Sequence, residues 1–185
     1  MQEFFKTDGV ILLWIQEHLR NDMLTPFFKG LTYLGNFGAI MILTCIVLMA
    51  VPKTRKLGMF CSAALIVNVI INNLILKNLI DRTRPYEVIE GLKCIVIRPM
   101  DASFPSGHTS ASFSVSSVIF GETPRHIGIA ALTVAALIGF SRLYVGVHYP
   151  TDVVFGMLSG ILIGLVTCAV CHKYVLKNKQ ALFRH

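Results

Sequence analysis

Three short polar segments interrupt an otherwise apolar chain of 185 residues, and their side chains suit phosphate chemistry. They run from Lys77 to Pro85 (KNLIDRTRP), from Pro105 to His108 (PSGH) and from Ser141 to Asp152 (SRLYVGVHYPTD). Fixed cations hold the oxygens of a phosphate group, while one histidine can attack phosphorus and another can protonate the leaving oxygen. The three segments therefore predict a site that binds a phosphate group and cleaves its ester or anhydride bond.

The two histidines of these segments are expected to divide the work. His148 is predicted to be the nucleophile because Asp152, four residues later, can accept a hydrogen bond from one ring nitrogen and leave the other free to attack. Pro150 stands between them, so His148 should precede a helix whose first turn contains Asp152. His108, at the start of another helix, is predicted to be the general acid. The predicted catalytic residues are therefore His148, His108 and Asp152.

Phosphate binding is assigned to three cations and one helix start. Lys77, Arg84 and Arg142 supply positive charge, and each arginine can donate two parallel hydrogen bonds to a phosphate. Ser106 and Gly107 follow a proline where a helix should begin, so their backbone N–H groups are expected to form an anion site. Taken singly, each cation would be read as an interfacial side chain that reaches for lipid headgroups. Their convergence with the PSGH segment favours a phosphate site.

No metal and no other cofactor is predicted. Four acidic residues near the polar segments, Asp81, Glu87, Glu90 and Asp101, are scattered along one loop. Two histidines without spaced acidic partners do not match the ligand pattern of a zinc site. Activity is therefore expected to persist when a chelator is present.

The composition indicates a membrane protein. Hydrophobic residues make up 54% of the chain and charged residues only 15%, against about 25% charged residues in ordinary soluble domains. Four stretches without Asp, Glu, Lys or Arg approach the roughly 20 residues that a helix needs to cross a bilayer, and a fifth stretch is shorter. They lie between Lys29 and Lys53, Lys56 and Lys77, Asp101 and Glu122, and Asp152 and Lys173, with the short one from Ile127 to Ser141. The predicted fold is an all-α polytopic membrane helix bundle with five spanning helices.

The N-terminal segment, 1–22, is predicted to be an amphipathic helix that lies in the membrane interface. Trp14 would sit at headgroup depth and Asp8 would cap the start of this helix. A sixth, imperfect span is the alternative for this segment. The rest of the chain divides into a membrane core, 23–176, which carries the three polar segments, and a basic C-terminal tail, 177–185.

An alternating path through the membrane brings the three polar segments to one side. The first segment ends the second span, PSGH opens the third, Ser141 ends the fourth and Asp152 opens the fifth. Short segments on the opposite side carry three basic residues in 52–58, one in 121–126 and four from Lys173 onward. Short basic segments tend to stay in the cytoplasm. The polar segments are therefore expected to face the extracytoplasmic side of a cell membrane.

The net charge of +7 does not indicate a nucleic-acid partner, because the basic residues cluster at the ends of apolar stretches. In the last span Gly156, Gly160 and Gly164 recur every four residues, a stripe that lets another helix approach closely. The stripe continues the face that carries Asp152, so it is expected to pack inside the bundle, with a dimer interface as the less favoured alternative. The oligomeric state stays open.

In order, spacing and residue type, the three segments resemble the type 2 phosphatidic acid phosphatase superfamily. The family pattern K-x6-RP, PSGH and SR-x5-H-x3-D is met at every position, by residues 77–85, 105–108 and 141–152. The resemblance implies that His148 forms a phosphohistidine, that Asp152 orients it and that His108 is the acid. It also implies a phosphate site built from the other polar residues of the pattern: Lys77, Arg84, Ser106, Gly107 and Arg142.

The resemblance further implies a metal-independent lipid phosphatase of the bacterial cell envelope. The small size and the amphipathic N-terminal segment are similar to bacterial members that act on undecaprenyl pyrophosphate, the expected substrate, with phosphatidic acid and phosphatidylglycerol phosphate as alternatives. A protein that binds or transports a lipid phosphate without chemistry is a hypothesis from another class, against which the two histidines and Asp152 argue. Vanadate-dependent haloperoxidase chemistry, found in the same superfamily, is disfavoured because the chain shows no soluble helical domain.

Overall fold

The computed structural model describes the backbone of residues 2–182 and the side chains of residues 7–36 and 38–174. Within this part of the chain every regular element is helical, which confirms the predicted all-α class. In chain order the elements are α1 (Gln2–His18), α2 (Leu24–Leu34), a 3₁₀ turn (Asn36–Gly38), α3 (Ala39–Ala50), α4 (Arg55–Asn68), a π-helix (Val69–Leu76), α5 (Lys77–Ile80), α6 (Pro85–Val88), α7 (Gly107–Glu122), α8 (Arg125–Tyr144) and α9 (Pro150–Leu182). Of the predicted tail, residues 177–182 continue α9, and residues 183–185 lie outside the described residues.

Several helices are long and apolar enough to cross a membrane, which confirms a polytopic membrane bundle. Three described stretches meet this criterion by themselves: Arg55–Val88, Arg125–Tyr144 and Pro150–Tyr174. Helices α2 and α3 meet it only together, across a bend of 58°. Helix α7, with 16 residues, is about 24 Å long at the usual rise per residue. The count of five spans, and the choice between an interfacial α1 and a sixth span, stay predictions.

Helix α7 is the central helix of the bundle. Ten consecutive residues, from Thr109 to Val118, are buried, and α7 packs against α9, α8 and α4. A Cβ atom added to Gly160 of α9 would lie 2.5 Å from the carbonyl oxygen of Ser110, and one added to Gly164 would lie 2.7 Å from that of Ser114. The glycine stripe therefore places the backbones of α7 and α9 in direct contact, which confirms its predicted role inside the bundle.

Helix α1 is held by buried contacts with the end of the bundle that carries the polar segments. Leu12 packs with Leu92 and Tyr149, while Ile15 packs with a cluster that includes Tyr144. Arg20, after the end of α1, donates hydrogen bonds of 2.8 Å and 2.7 Å to the carbonyl oxygens of Tyr144 and Lys93. These contacts fix α1 against α8 and the connection that follows α6.

A π-helical turn immediately precedes Lys77, the first residue of α5, and determines its position. The π-helix between α4 and α5 carries Asn72, a buried residue whose amide donates to Asn68 at 2.8 Å and accepts from Ser159 of α9 at 3.1 Å. Polar side chains inside an apolar bundle are stabilised when such bonds satisfy them. The contact with α9 therefore anchors the turn that immediately precedes Lys77.

The three polar segments meet at one end of the bundle, as the alternating path predicts. The backbone N–H of Ser106 donates to the carbonyl oxygen of Asp152 at 3.2 Å. The guanidinium of Arg84 donates to the carbonyl oxygen of Val147 at 2.7 Å. Residues that are far apart in sequence thus share one polar region between the starts of α7 and α9 and the end of α8.

Candidate active site

The start of α9 builds the pair of His148 and Asp152. Pro150 is the first residue of the helix and Asp152 lies in its first turn, as the sequence predicts. The Asp152 carboxylate accepts the backbone N–H of Tyr149 at 3.0 Å, which satisfies one of the donors that a helix start leaves without a partner. The same oxygen, Oδ2, lies 3.5 Å from Nδ1 of His148. The carboxylate therefore caps the helix and faces the imidazole at once.

His148 is held as a neutral imidazole. Its side chain is almost fully buried, and burial, helped by the charges of Arg84 and Arg142 and opposed by Asp152, lowers the pKa of His148 to about 3. A neutral ring has one nitrogen with a free lone pair, which is the form required of a nucleophile. The environment of His148 therefore keeps it ready to attack at neutral pH.

Arg84 lies on the other side of the His148 ring. One guanidinium nitrogen, Nη1, is 3.4 Å from Nε2 of His148 and is anchored by the carbonyl oxygen of Val147. Such a contact requires an unprotonated Nε2, which leaves the ring proton on the Nδ1 side that faces Asp152. The guanidinium is thus fixed beside the nitrogen that would meet phosphorus.

Asp101 joins two of the predicted phosphate ligands, a position that no sequence pattern predicts. Its carboxylate forms an ion pair with Lys77 and accepts from Nη2 of Arg84 at 2.7 Å. Burial alone would raise the pKa of Asp101, but the hydrogen bonds and charges of Lys77 and Arg84 hold that pKa at about 2. Because more than half of the Asp101 side chain is exposed, this carboxylate lies at the open edge of the cationic region.

His108 faces the break between α2 and α3. Its Nε2 lies 3.1 Å from the amide oxygen of Asn36, and the positive charges of Arg142 and Lys77 act on the ring. A Cβ atom added to Gly35 would come within 2.6 Å of the His108 ring. Glycine at this position therefore leaves the room that the ring occupies, and Asn36 fixes the direction of Nε2.

Arg142 ends α8 as a buried cation. Its Nη1 donates to the hydroxyl of Thr32 on α2, and its backbone carbonyl accepts the N–H of Val147 at 3.2 Å. Arg142 is only 3% exposed. A buried charge of this kind requires polar partners. The buried position of Arg142 therefore favours a role in binding an anion over a role at the lipid headgroups.

The start of α7 differs from the prediction in one respect. The backbone N–H of Ser106 is used by the Asp152 carbonyl at 3.2 Å, so the expectation that this N–H contributes to an anion site is corrected. The Ser106 hydroxyl accepts from Thr109 at 2.9 Å and keeps its own proton to donate. At Gly107, an added Cβ would lie 3.1 Å from the side-chain oxygen of Asn73, which leaves little room for a side chain there.

Arg82, Ser103 and Asp8 also surround Asp152, and sequence reasoning missed all three. Arg82 donates to Oδ1 of Asp152 at 2.5 Å and to Asp8 at 3.0 Å, while Ser103 donates to Oδ2 at 2.5 Å. Asp8 lies inside α1 and caps α9 through Thr151, so the expectation that it caps its own helix is wrong. The only sequence feature that could have indicated a functional role for any of them is the position of Arg82 inside the first polar segment.

The described residues hold no group of three or more His, Cys, Asp or Glu side chains arranged to bind a metal ion. Asp152, the acid that faces His148, already accepts from Arg82, Ser103 and the backbone of Tyr149. These donors occupy the oxygens that a metal ion would need. The arrangement therefore suits anion binding and nucleophilic attack better than metal binding.

The chain is similar in sequence to named proteins and in fold to solved structures. Undecaprenyl-diphosphatase BcrC of Bacillus subtilis (strain 168) is 30% identical over 146 residues, which are 79% of this chain and 74% of that protein. The crystal structure of Aquifex aeolicus LpxE matches with a TM-score of 0.74 at 29% identity, covering 85% of this chain and 92% of that chain.

A second solved structure shares the fold at 24% identity, with a TM-score of 0.73 and coverage of 91% of this chain and 86% of that one. It is the first transmembrane PAP2 type phosphatidylglycerolphosphate phosphatase from Bacillus subtilis. The model of the PAP2 superfamily matches residues 57–177, which include all three polar segments. The resemblance carried by these segments is thereby confirmed, and this protein belongs to the PAP2 superfamily.

Proposed function

We propose that this protein is an integral-membrane lipid phosphatase that removes the terminal phosphate of undecaprenyl pyrophosphate through a phosphohistidine. The observation that carries the proposal is the setting of His148, a buried neutral imidazole with Asp152 on the Nδ1 side and Arg84 on the Nε2 side. The substrate is supported by the relative named undecaprenyl-diphosphatase. The apolar helices around the polar end are what a lipid substrate requires.

In the proposed reaction, Nε2 of His148 attacks the terminal phosphorus and a P–N bond forms. The P–O bond to the lipid monophosphate breaks, and the leaving oxygen takes a proton from His108. Asp152 stabilises the positive charge of the imidazole through Nδ1–H. A water molecule that gives its proton to His108 then attacks phosphorus, the P–N bond breaks, and phosphate leaves with His148 restored.

The cations bind the phosphoryl oxygens in this proposal. Lys77, Arg84 and Arg142 would neutralise the charge that moves through the transition state, and the Ser106 hydroxyl and the Gly107 backbone N–H would donate further hydrogen bonds. Phosphoryl transfer depends mainly on such positioning and electrostatic stabilisation. No step needs a metal ion, so the reaction should proceed in EDTA.

The proposed site faces the extracytoplasmic side of a cell membrane. The support is the placement of basic residues in the short segment 52–58 and at Lys173, at the opposite end of the bundle from the polar segments, with three more basic residues after Lys173 in the sequence. A reporter fused after residue 185 and active only in the cytoplasm tests this orientation. A fusion protein that is present in the membrane but shows no reporter activity would contradict it.

The substrate is tested by phosphate release in detergent with EDTA, comparing undecaprenyl pyrophosphate, phosphatidylglycerol phosphate and phosphatidic acid. We expect the pyrophosphate to give the highest kcat/KM and His148→Ala to abolish release. His126→Ala, at an exposed position, is the control and should retain activity. A preference for phosphatidylglycerol phosphate would reassign the substrate, and binding without turnover on all three lipids would favour a binding or transport protein.

A further inference from the structure

We propose that Asp8 and Arg82 position the pair of Asp152 and His148, so that the N-terminal helix α1 takes part in the reaction. The inference rests on the proposed function, because it assigns these residues an effect on phosphoryl transfer. Both lie outside the residues of the family pattern. Arg82 bonds to Asp152 directly, and Asp8 acts on Asp152 through Arg82 and Thr151.

Arg82 connects Asp152, Thr151 and Asp8. Its Nη1 donates to Oδ1 of Asp152 at 2.5 Å and to the Thr151 hydroxyl at 2.8 Å, and its Nη2 donates to Asp8 at 3.0 Å. The guanidinium also lies over the Tyr149 ring, 3.7 Å from the ring centre. A planar guanidinium that is shared by two carboxylates and an aromatic face has little freedom to rotate.

Asp8 brings α1 into this arrangement. Its side chain is 4% exposed, and it accepts the Thr151 backbone N–H at 3.2 Å and the Thr151 hydroxyl at 2.5 Å. The first N–H groups of a helix have no partner within the helix, so Asp8 caps α9 from another element. Because Asp152 is the next residue after Thr151, Asp8 fixes the backbone that carries the carboxylate.

The connection before α7 completes the arrangement. The carbonyl oxygen of Arg82 accepts the N–H of Ser103 at 2.7 Å, and the Ser103 hydroxyl donates to Oδ2 of Asp152 at 2.5 Å. Arg82 therefore holds Oδ1 directly and holds Oδ2 through Ser103. The Arg82 side chain thus fixes Oδ1, while Ser103 and the Tyr149 N–H fix Oδ2, the oxygen that faces Nδ1 of His148.

Asp8 and Arg82 also balance charge at Asp152. When Nε2 of His148 bonds to phosphorus, the ring becomes positive and Asp152 must stabilise it. Without Asp8, the positive charge of Arg82 would no longer be shared with a second carboxylate. It would then offset more of the negative charge of Asp152 and weaken the stabilisation of the positive ring. Without Arg82, the Asp152 carboxylate would lose the donor that fixes Oδ1. The charged groups that face His148 itself, Arg84 and Arg142, would be unchanged in either case.

Steady-state kinetics of Asp8→Asn, Arg82→Gln and the double variant test the inference. Each single variant should lower kcat about 10- to 100-fold, the loss expected for one hydrogen bond to a charged group, while KM changes by no more than about twofold. The double variant should be slower than Arg82→Gln by much less than the factor lost in Asp8→Asn alone, because Asp8 acts partly through Arg82 and partly through Thr151. Glu17→Gln on α1 and Arg98→Ala, both at exposed positions, are the matched controls and should retain the wild-type kcat.

Thr151→Val gives a milder test should the charge variants fail to fold. It keeps every charge, removes the hydroxyl shared by Asp8 and Arg82, and should lower kcat about 2- to 10-fold. Nitrogen NMR of isotope-labelled histidines gives a readout that needs no turnover. In Arg82→Gln or Thr151→Val, the fraction of His148 that carries its proton on Nδ1 should fall.

The outcomes separate this inference from the proposed function. Phosphate release by the wild type, with an unchanged kcat in the folded variants or with losses that multiply in the double variant, would overturn the inference and leave the function intact. A wild type that releases no phosphate from any lipid would overturn the function. The His148 tautomer would then decide the inference alone, and an identical spectrum in wild type and variants would refute it.

Discussion

Asp101→Asn should make the protein bind phosphate more tightly. Asp101 contacts Lys77 and Arg84, the same two side chains that we propose for the substrate phosphate. A phosphate that takes these donors must displace the carboxylate, so the carboxylate and the substrate compete. With an amide at this position the competing charge is lost, while the backbone carbonyl of residue 101 can still accept from Nε of Arg84 at 2.8 Å.

The size of the effect follows from the exposure of Asp101. A hydrogen bond to a charged group contributes about 1.5–3 kcal/mol when it is shielded from water. Because 56% of the Asp101 side chain is exposed, each of the two contacts is better valued at about 0.5–1 kcal/mol. Together they give about 1–2 kcal/mol, which corresponds to an affinity change of about 5- to 30-fold.

The assay measures KM for the lipid in mixed micelles and the inhibition constant of inorganic phosphate. We expect both to fall by the same factor in Asp101→Asn, with kcat within about twofold of the wild type. Because the pKa of Asp101 is about 2, it stays a carboxylate at every pH used, and the factor should not vary between mildly acidic and neutral pH. Glu87→Gln, at an exposed position in α6, is the control. An unchanged or higher KM in Asp101→Asn would refute the competition.

Three further variants test the catalytic pair, the packing of α9 against α7 and the position of the His108 ring. Asp152→Asn should lower kcat at least about 100-fold, because the amide cannot stabilise a positive His148; a near-normal kcat would exclude that role. Gly160→Ala should lower the free energy of unfolding by about 1–3 kcal/mol, because its Cβ would meet α7. Gly30→Ala, with open space around it, is the control for thermal melting, and equal melting temperatures would contradict the contact. Gly35→Ala should displace the His108 ring and lower kcat about tenfold, and unchanged kinetics would show that the ring has room.

The sequence predicted the parts of the site that depend on local spacing. Pro150 fixes the start of α9, so the positions of His148 and Asp152 on either side of it follow from the chain itself. The meeting of the three polar segments followed from the alternation of the spans, which needs only the lengths of the apolar stretches. These two arguments account for most of the predicted site geometry.

The residues that sequence reasoning missed are held by contacts across long stretches of chain. Asp8 reaches Thr151 across 143 positions, and Asn36 reaches His108 across 72. Neither residue lies in a pattern, and each could satisfy its polar group in many other ways. Asp101 was read as one of several scattered loop acids because spacing does not reveal that the loop returns to Lys77. The same limit explains Ser106, whose N–H is used by a carbonyl 46 residues later in the chain, at Asp152.

The central claim is that His148 carries the phosphoryl group. Undecaprenyl pyrophosphate labelled on its terminal phosphate should transfer the label to the protein within the first turnover, in EDTA. The bound label should be acid-labile and alkali-stable, map to the peptide that contains His148, and be absent in His148→Ala while present in His126→Ala. Release of labelled phosphate without any labelled protein intermediate, or a label on His148→Ala, would contradict the account.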